Sequence, residues 1–207
     1  MTQSKRPPGR PRLADQAVPT AAAIITAATT LFMDAGYRAV TMDMVGEAAG
    51  VTKATVYYHF PDKTSLFVAT SDHVFSQARR ASQRVLAQNG PLRSRLYEIA
   101  RIVLGLPRPF TSFDVMLHEA LAELSPEQLA QVRAAQHSVD AVIEQAFADA
   151  SSRGEIATAS PTLAAHAFIA LLRLGQTRNE AGDLRFPEPE AAAAQVIALL
   201  WNGIAPG

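Results

Sequence analysis

Helical spacing of apolar residues runs through almost the whole chain, and this periodicity constrains the fold more than any other feature. In the first such segment, apolar side chains recur at intervals of three and four residues at Ile24, Ala27, Ala28, Leu31, Phe32 and Ala35. This spacing places them along one side of an α-helix. Gly36 is predicted to end that helix, because glycine readily adopts the left-handed conformation of a helix C-terminus. No segment alternates apolar and polar residues as a half-buried strand does, and no repeat of fixed period is present. The pattern predicts an all-α fold.

Capping residues, prolines and glycines divide the chain into nine predicted helices. These cover, in order, about residues 20–35, 42–48, 53–59, 63–88, 91–105, 112–124, 126–152, 161–177 and 188–203. Thr41, Thr52 and Asp62 are the predicted N-caps of the second, third and fourth helices, since a side-chain oxygen at that position accepts a free backbone N–H. Pro61 ends the third helix, because proline disfavours the helical conformation in the residue before it.

Composition and charge narrow the class of protein. With 207 residues, 48% of them hydrophobic, the chain is long enough to bury a substantial core. It has no cysteine, which excludes disulfides, thiolate zinc sites and cysteine nucleophiles and suits a reducing cytoplasm. The longest apolar run, 196–201, is too short to span a bilayer, and no apolar segment follows the basic residues 5–12 as in a signal peptide. We therefore expect a cytoplasmic protein with no membrane contact.

A net charge of zero conceals a basic N-terminus. All three lysines lie in the first 63 residues, and the segment KRPPGRPR contains no acid. Residues 1–19, rich in proline, glycine and basic side chains, are predicted to form a disordered arm. Arg10 and Arg12 lie in a Pro-Gly-Arg-Pro-Arg sequence similar to an AT-hook, which enters A·T-rich minor grooves. The alternative is a basic tail that only increases solubility.

The second and third helices, joined by a short turn at Gly50, form a helix-turn-helix pattern. At about 100° per residue, Val56 and Phe60 share the face of the third helix that should be buried. The opposite face and its flanks carry the polar, aromatic and small residues Thr52, Lys53, Ala54, Thr55, Tyr57, Tyr58 and His59. A helix that enters a major groove needs this combination of a small residue for close approach, polar groups for base edges and donors for phosphates. The pattern predicts double-stranded DNA as the partner.

The segment from about residue 23 to 67 resembles the DNA-binding domain of the TetR family of bacterial transcriptional regulators. The residues that carry the resemblance are Leu31-Phe32, Gly36-Tyr37, Thr41, Ala48-Ala49-Gly50-Val51, Lys53, Thr55, Tyr57-Tyr58-His59-Phe60 and Lys63. Gly46 departs from the alanine usual in the family and is expected to weaken the second helix by up to about 1 kcal/mol. The resemblance implies three parts: the arm (1–19), a helix-turn-helix DNA-binding domain (20–66) and a helical effector-binding and dimerisation domain (67–207).

The resemblance also implies roles for individual residues. Thr41, Tyr57, His59 and Lys63 are expected to bind phosphates. Lys53, Thr55 and Tyr58 are expected to approach bases or the backbone beside them. Two alternatives remain at this point: Tyr57 as a half-buried packing residue, and His59 as a cap or a filler of a gap.

For the remainder of the chain the resemblance implies self-association and an effector. The alanine- and leucine-rich segments 161–175 and 189–203 occupy the place of the family's two dimerisation helices, so a homodimer through the last two helices is expected; burial within a monomer is the alternative. Candidate ligand-binding residues lie on or near the middle and eighth helices: Arg101, Phe110, Phe113, Met116, Leu117, His118 and Arg173. An ordinary core is the alternative for these residues too. The apolar character of most of them favours a hydrophobic effector.

The residue patterns predict a sequence-specific DNA-binding protein. The resemblance implies a transcriptional regulator, a repressor released from a palindromic operator by a small hydrophobic effector. An enzyme is the first rival, but the five histidines are scattered without His-Glu-x-x-His spacing, and neither a P-loop nor a Gly-x-Gly-x-x-Gly sequence occurs. No catalytic residue, metal or cofactor is therefore predicted. The second rival is a helical module that binds proteins and no DNA.

Overall fold

The computed structural model describes residues 17–106 and 110–202, with side chains described throughout except at 17–19 and 110–112. Within these ranges the chain forms nine helices and no strand, which confirms the predicted all-α fold. The helices are α1 (Ala17–Ala39), α2 (Met42–Ala48), α3 (Lys53–His59), α4 (Lys63–Leu86), α5 (Leu92–Leu104), α6 (Phe110–Ala120), α7 (Pro126–Ser152), α8 (Pro161–Gly175) and α9 (Pro189–Trp201). Arg10, Arg12 and the side chain of Phe110, all predicted contacts, lie outside the described part of the chain.

The three predicted N-caps are confirmed. Thr41 Oγ1 accepts a hydrogen bond from the Met44 backbone N–H at 3.3 Å, and Thr52 Oγ1 accepts one from the Thr55 N–H at 3.1 Å. Asp62 caps α4 at 2.7 Å from the Ser65 N–H. Because these hydrogen bonds satisfy N–H groups that the helix itself leaves free, they fix where α2, α3 and α4 begin.

The end of α1 differs from the prediction. Helical structure resumes after Gly36 and continues to Ala39, and Gly36 itself forms a kink with φ 82° and ψ 168°. The kink turns Tyr37 inward, where its fully buried ring stacks on Phe32 at 5.9 Å and meets the edge of Phe67 at 5.1 Å between centroids. Glycine is required here because other residues rarely adopt this positive φ. The sequence identified the glycine correctly but not the short helical segment beyond it.

Two apolar cores form, and the long helices contribute to both. The first core contains residues from α1, α2, α3, α4, α6 and the beginning of α7. Its centre is an aromatic group that includes Phe32, Phe67 and Phe113. The second joins α5, α7, α8 and α9 with the end of α4, and includes Phe147 and Phe168 at 6.3 Å. Since α4 and α7 supply residues to both cores, the N-terminal helices are packed directly against the rest of the molecule.

No helix within residues 17–106 and 110–202 has the length and apolar content needed to cross a lipid bilayer.

Candidate nucleic-acid interface and internal cavity

The turn between α2 and α3 is compact because two glycines lie in or under it. Gly50 has φ 67°, a conformation that favours glycine, and the Val51 N–H donates to the Gly46 carbonyl at 2.9 Å. A Cβ at Gly46 would lie 3.2 Å from the Val51 carbonyl oxygen. Gly46, which is expected to weaken α2 because of its low helix propensity, thus also permits the Val51 backbone to approach α2 closely. Val45 and Val56 are fully buried beneath the turn and fix the position of α3.

Helix α3 presents the predicted contact residues outward. Tyr58 is 80% exposed and Tyr57 43% exposed, whereas Val56 is fully buried. Ala54 is also exposed, and His59 is half-buried. The face predicted from helical geometry is therefore the face that the fold leaves open.

The first turn of α3 and its flanks hold a group of polar side chains. Thr41, Thr52 and Lys53 are exposed, and the Thr52 and Thr55 hydroxyls lie 2.8 Å apart. Lys53 Nζ donates to Asp43 Oδ2 at 2.9 Å, and this hydrogen bond raises the pKa of the lysine. Lys53 therefore has an anionic partner within the same chain, which a DNA phosphate would have to replace.

The side chain of Lys63, the first residue of α4, contacts α1. Its Nζ lies 4.3 Å from the centroid of the Tyr37 ring and donates to the Arg38 carbonyl at 3.3 Å. Partial burial lowers the pKa of Lys63, and the carboxylates of Glu123 and Glu119 oppose that shift. The ammonium group is therefore held over the aromatic ring at the N-terminus of α4, where free backbone N–H groups also favour an anion.

Helices α6 and α7 hold the N-terminal helices through polar contacts that the sequence did not reveal. Glu123, just after α6, accepts a hydrogen bond from Tyr37 Oη at 2.8 Å, and Glu119 Oε2 accepts one from the Arg38 N–H at 3.2 Å. Burial and the hydrogen bond to Glu123 both raise the pKa of Tyr37. The Gln128 side chain donates to Thr64 Oγ1 at 2.9 Å. These partners are more than 60 residues apart in the chain, so no local pattern pointed to them.

An internal cavity of about 360 Å³ lies among α4, α5, α6, α7 and α8. Of the predicted ligand-binding residues, Phe113 and Arg173 line it. The other described candidates, Arg101, Met116, Leu117 and His118, do not line this cavity. Arg101 instead forms a 2.6 Å ion pair with Glu98. The fold thus brings together two of the six candidates whose side chains are described.

The wall that α4 contributes was missed in the sequence. It consists of Val74, Ala78, Ala81 and Val85, together with the neighbouring Phe75. Their spacing of three and four residues was a detectable signal, since it defines an apolar stripe in the second half of α4.

The polar lining of the cavity includes four charged side chains, those of Arg84, Asp114, Asp140 and Arg173. Arg173 Nη1 and Asp114 Oδ2 form an ion pair at 3.0 Å. Asp140 also lines the cavity, and burial raises its pKa despite the opposing charges of His137, Arg173 and His166. Within residues 17–106 and 110–202, no group of three or more histidines and acids is arranged to hold a metal ion.

The sequence model of a protein family, described as bacterial regulatory proteins of the tetR family, matches residues 24–70 of this chain. The matched segment contains α2, the turn, α3 and Lys63. The chain belongs to the TetR family. It is accordingly a DNA-binding transcriptional regulator, and α2 and α3 form its helix-turn-helix.

Curated relatives support the TetR-family assignment. An uncharacterised HTH-type transcriptional regulator, YhgD of Bacillus subtilis, is 24% identical over 72% of this chain and 78% of its own. The HTH-type transcriptional activator FasR of Mycolicibacterium smegmatis is 37% identical over 28% of each chain. IcaR of Staphylococcus aureus, the negative transcriptional regulator of the biofilm operon icaADBC, is 41% identical over 21% of this chain and 24% of its own. The last two matches are short.

Solved structures share the TetR-family fold over most of the chain. A TetR-family regulator from Mesorhizobium loti has a TM-score of 0.73 and 22% identity, covering 92% of this chain and 99% of that one. A transcriptional regulator from Saccharomonospora viridis in complex with choline has a TM-score of 0.75 and 17% identity, covering 92% and 100%. AibR in complex with isovaleryl coenzyme A and operator DNA has a TM-score of 0.63 and 26% identity, covering 89% and 99%.

Proposed function

We propose that this TetR-family protein is a cytoplasmic homodimeric repressor, which binds a palindromic operator and leaves it when a small, largely apolar effector fills the cavity. The observation that carries the DNA-binding part is the exposure of Tyr58, Tyr57 and Ala54 on a short helix whose other face is fixed by the buried Val56. Aromatic side chains so exposed contribute nothing to the core, which favours a role in contact with a partner.

Within the DNA-binding domain, 20–66, each contact residue has a distinct role. Thr55, Tyr58 and Lys53 approach base edges or the adjacent backbone in the major groove. Thr41, Tyr57, His59 and Lys63 bind phosphates, and Thr52 and Ala54 complete the contact surface. Arg10 and Arg12 in the arm reach a neighbouring minor groove. Phosphate contacts fix the position of the helix on the duplex, and base contacts supply specificity.

Dimerisation through α8 and α9, in the domain from 67 to 207, is supported by their exposed apolar residues. Leu163 is 69% exposed, Leu174 55% and Leu199 67%. Leu163 and Leu174 are eleven residues apart on α8, which returns them to the same face of a helix. Exposed alanines on α9, such as Ala194 and Ala198, allow a second helix to approach closely. A two-fold dimer would present two copies of α3 to half-sites about one helical turn apart.

Effector control is supported by the apolar cavity. Two proteins of the same fold were solved with choline and with isovaleryl coenzyme A. Repression is favoured because IcaR, a negative regulator, is 41% identical over 21% of this chain. FasR, an activator that is 37% identical over 28% of the chain, makes activation the second candidate.

Fluorescence anisotropy with labelled fragments of the DNA upstream of its own gene tests the proposal. We expect sequence-selective binding that weakens steeply with salt, because phosphate contacts release counterions. Tyr58→Ala should lose selectivity, whereas Gln88→Ala, an exposed residue just beyond the end of α4 and outside α3, α8 and α9, should bind the operator as before. Binding without sequence preference, or none on any upstream fragment, would contradict operator recognition. Transcription of a reporter from the bound promoter then separates repression from activation.

A further inference from the structure

We propose that the cavity selects an apolar molecule with a positively charged group, and that the carboxylate of Asp140 receives that group. The inference rests on the proposed effector role of the cavity and adds the chemical class of its ligand. It depends on which of the charged groups at the cavity already have a partner.

Four charged side chains line the described cavity: Arg84, Asp114, Asp140 and Arg173. Arg173 and Asp114 neutralise each other at 3.0 Å. An anionic ligand directed at Arg173 would have to displace Asp114. Arg84 is exposed to solvent at the edge of the cavity, where a guanidinium group is well hydrated and needs no ligand.

Asp140 is in a different situation. Its side chain is only 21% exposed, and the ion pair that involves it is a long one, 4.0 Å from His137 Nδ1. The His137 side chain is 77% exposed, so this partner lies toward solvent. A carboxylate that has lost much of its hydration without gaining a close partner is costly to keep charged. The upward shift in the pKa of Asp140 has the same cause, burial, which outweighs the three nearby bases.

The rest of the cavity suits the apolar part of such a molecule. Phe75 and Phe113 meet edge to face at 4.6 Å between centroids, and Ile143, Ile169 and Leu172 are among the other lining residues. Aromatic rings attract a cation through their faces, and the aliphatic side chains favour a hydrocarbon tail. An ammonium group at Asp140 would gain a charge-assisted hydrogen bond in partly desolvated surroundings, where such a bond is strong.

Three probes with the same apolar body and different charge test the proposal: phenylbutylamine, phenylbutanol and phenylbutyrate. Isothermal titration calorimetry of the full chain at neutral pH should give the amine at least about tenfold higher affinity than the alcohol, with the acid weakest. Asp140→Asn should remove the advantage of the amine and leave the affinity for the alcohol unchanged. Asp149→Asn, nine residues further along α7, is the matched control: Asp149 is exposed and does not line the cavity, so the amine should bind as before.

The proposal is overturned if the acid binds better than the amine, if Asp140→Asn leaves the amine's affinity unchanged, or if none of the probes binds. Thermal unfolding of Asp140→Asn shows that the variant is folded. A parallel operator titration separates this inference from the effector role. Release of operator by the alcohol or the acid, with no preference for the amine, would leave effector control intact and overturn only the ligand class. Asp140-dependent binding of the amine without any change in operator affinity would support the cationic site and contradict effector control.

Discussion

Individual side chains of α3 face the direction that helical periodicity predicts, and their hydrogen-bond partners do not follow from periodicity. Val56 is fully buried and Tyr58 is 80% exposed, as expected for positions on opposite faces. The ion pair of Lys53 with Asp43 and the position of Lys63 over Tyr37 depend on how separate helices meet. The sequence alone gives no direct signal of which side chains of separate helices come into contact.

Lys63 provides the first prediction. Lys63→Ala should weaken binding to every DNA sequence and lower the slope of log affinity against log salt by about one unit, because one phosphate contact is lost. Arg80→Ala removes an exposed cation from the same helix, away from the helix-turn-helix, and should leave the slope unchanged. Anisotropy titrations across a salt series measure both. An unchanged slope in Lys63→Ala would show that its contacts with Tyr37 and Arg38 are purely structural.

Base recognition provides the second prediction. Thr55→Val and Tyr58→Ala should change preference at particular operator positions by about 1 to 3 kcal/mol, because each removes a group that we propose faces base edges. Tyr57→Phe is the comparison: losing a phosphate contact should weaken all sites alike. Selection from a random DNA library distinguishes the two effects. If Thr55→Val and Tyr58→Ala recovered the same site as the unmodified protein, another part of the surface would read the sequence.

Whole elements followed the sequence closely where a cap or a proline marks their ends. Helix α7 covers Pro126–Ser152 as predicted, beginning at a Ser125 capping box and proline in its first turn. Helix α6 ends at Ala120, although helical structure was predicted to residue 124. The ends of α1 and α6 are set by long-range contacts around Tyr37, Glu119 and Glu123. Local propensity does not report such contacts, so these boundaries could not be predicted.

The cap of α4 provides the third prediction. Asp62→Ala should lower the free energy of unfolding by about 1 kcal/mol, because the hydrogen bond to the Ser65 N–H is lost. Asp72→Ala, in the middle of the same helix and exposed, should have a smaller effect. Chemical denaturation of each variant gives the comparison. Equal losses in both variants would mean that the cap contributes no specific stability.

The same cap has a predictable pH dependence. Hydrogen bonds from the Ser65 backbone and the Thr64 side chain lower the pKa of Asp62 from its ordinary value of 3.8. Because the folded-state pKa lies below the unfolded value, the contribution of the cap is fully present above the unfolded pKa and is lost as the pH falls through the folded pKa. The difference in stability between the unmodified protein and Asp62→Ala should therefore be constant near neutral pH and shrink in acid below about pH 4.

On the scale of the whole molecule, three of the helices that line the cavity also contact the N-terminal helices; α7 does so through Gln128, which donates to Thr64 Oγ1 at 2.9 Å. Helix α4 begins at Lys63 and lines the cavity with its second half. Helix α6 is the second connection: Phe113 and Asp114 line the cavity, and Glu119 near its other end bonds to the Arg38 backbone. A ligand that moves either helix in the cavity therefore changes a contact close to the proposed phosphate-binding residues.

Coupling between the two sites provides the last prediction. A ligand releases operator only if it binds the conformation without DNA more tightly, and operator must then lower the ligand's affinity by the same factor. Titrating a ligand that fills the cavity with and without operator should give equal factors in both directions, while light scattering shows that the dimer persists. Equal ligand affinity in both titrations, or release through dissociation to monomers, would contradict this mechanism.

Tyr37→Phe tests whether α6 carries the coupling. The substitution removes the 2.8 Å hydrogen bond to Glu123 but keeps the buried ring, and the exposed carboxylate returns to water at little cost. We expect ligand affinity in the absence of DNA to be unchanged and the coupling factor to fall, because one of the two hydrogen bonds described between the end of α6 and α1 is lost, and only the bond from the Arg38 N–H to Glu119 remains. Glu127→Gln, exposed at the start of α7, is the matched control and should keep the full factor. An undiminished factor in Tyr37→Phe would show that the hydrogen bond between Tyr37 and Glu123 does not carry the coupling.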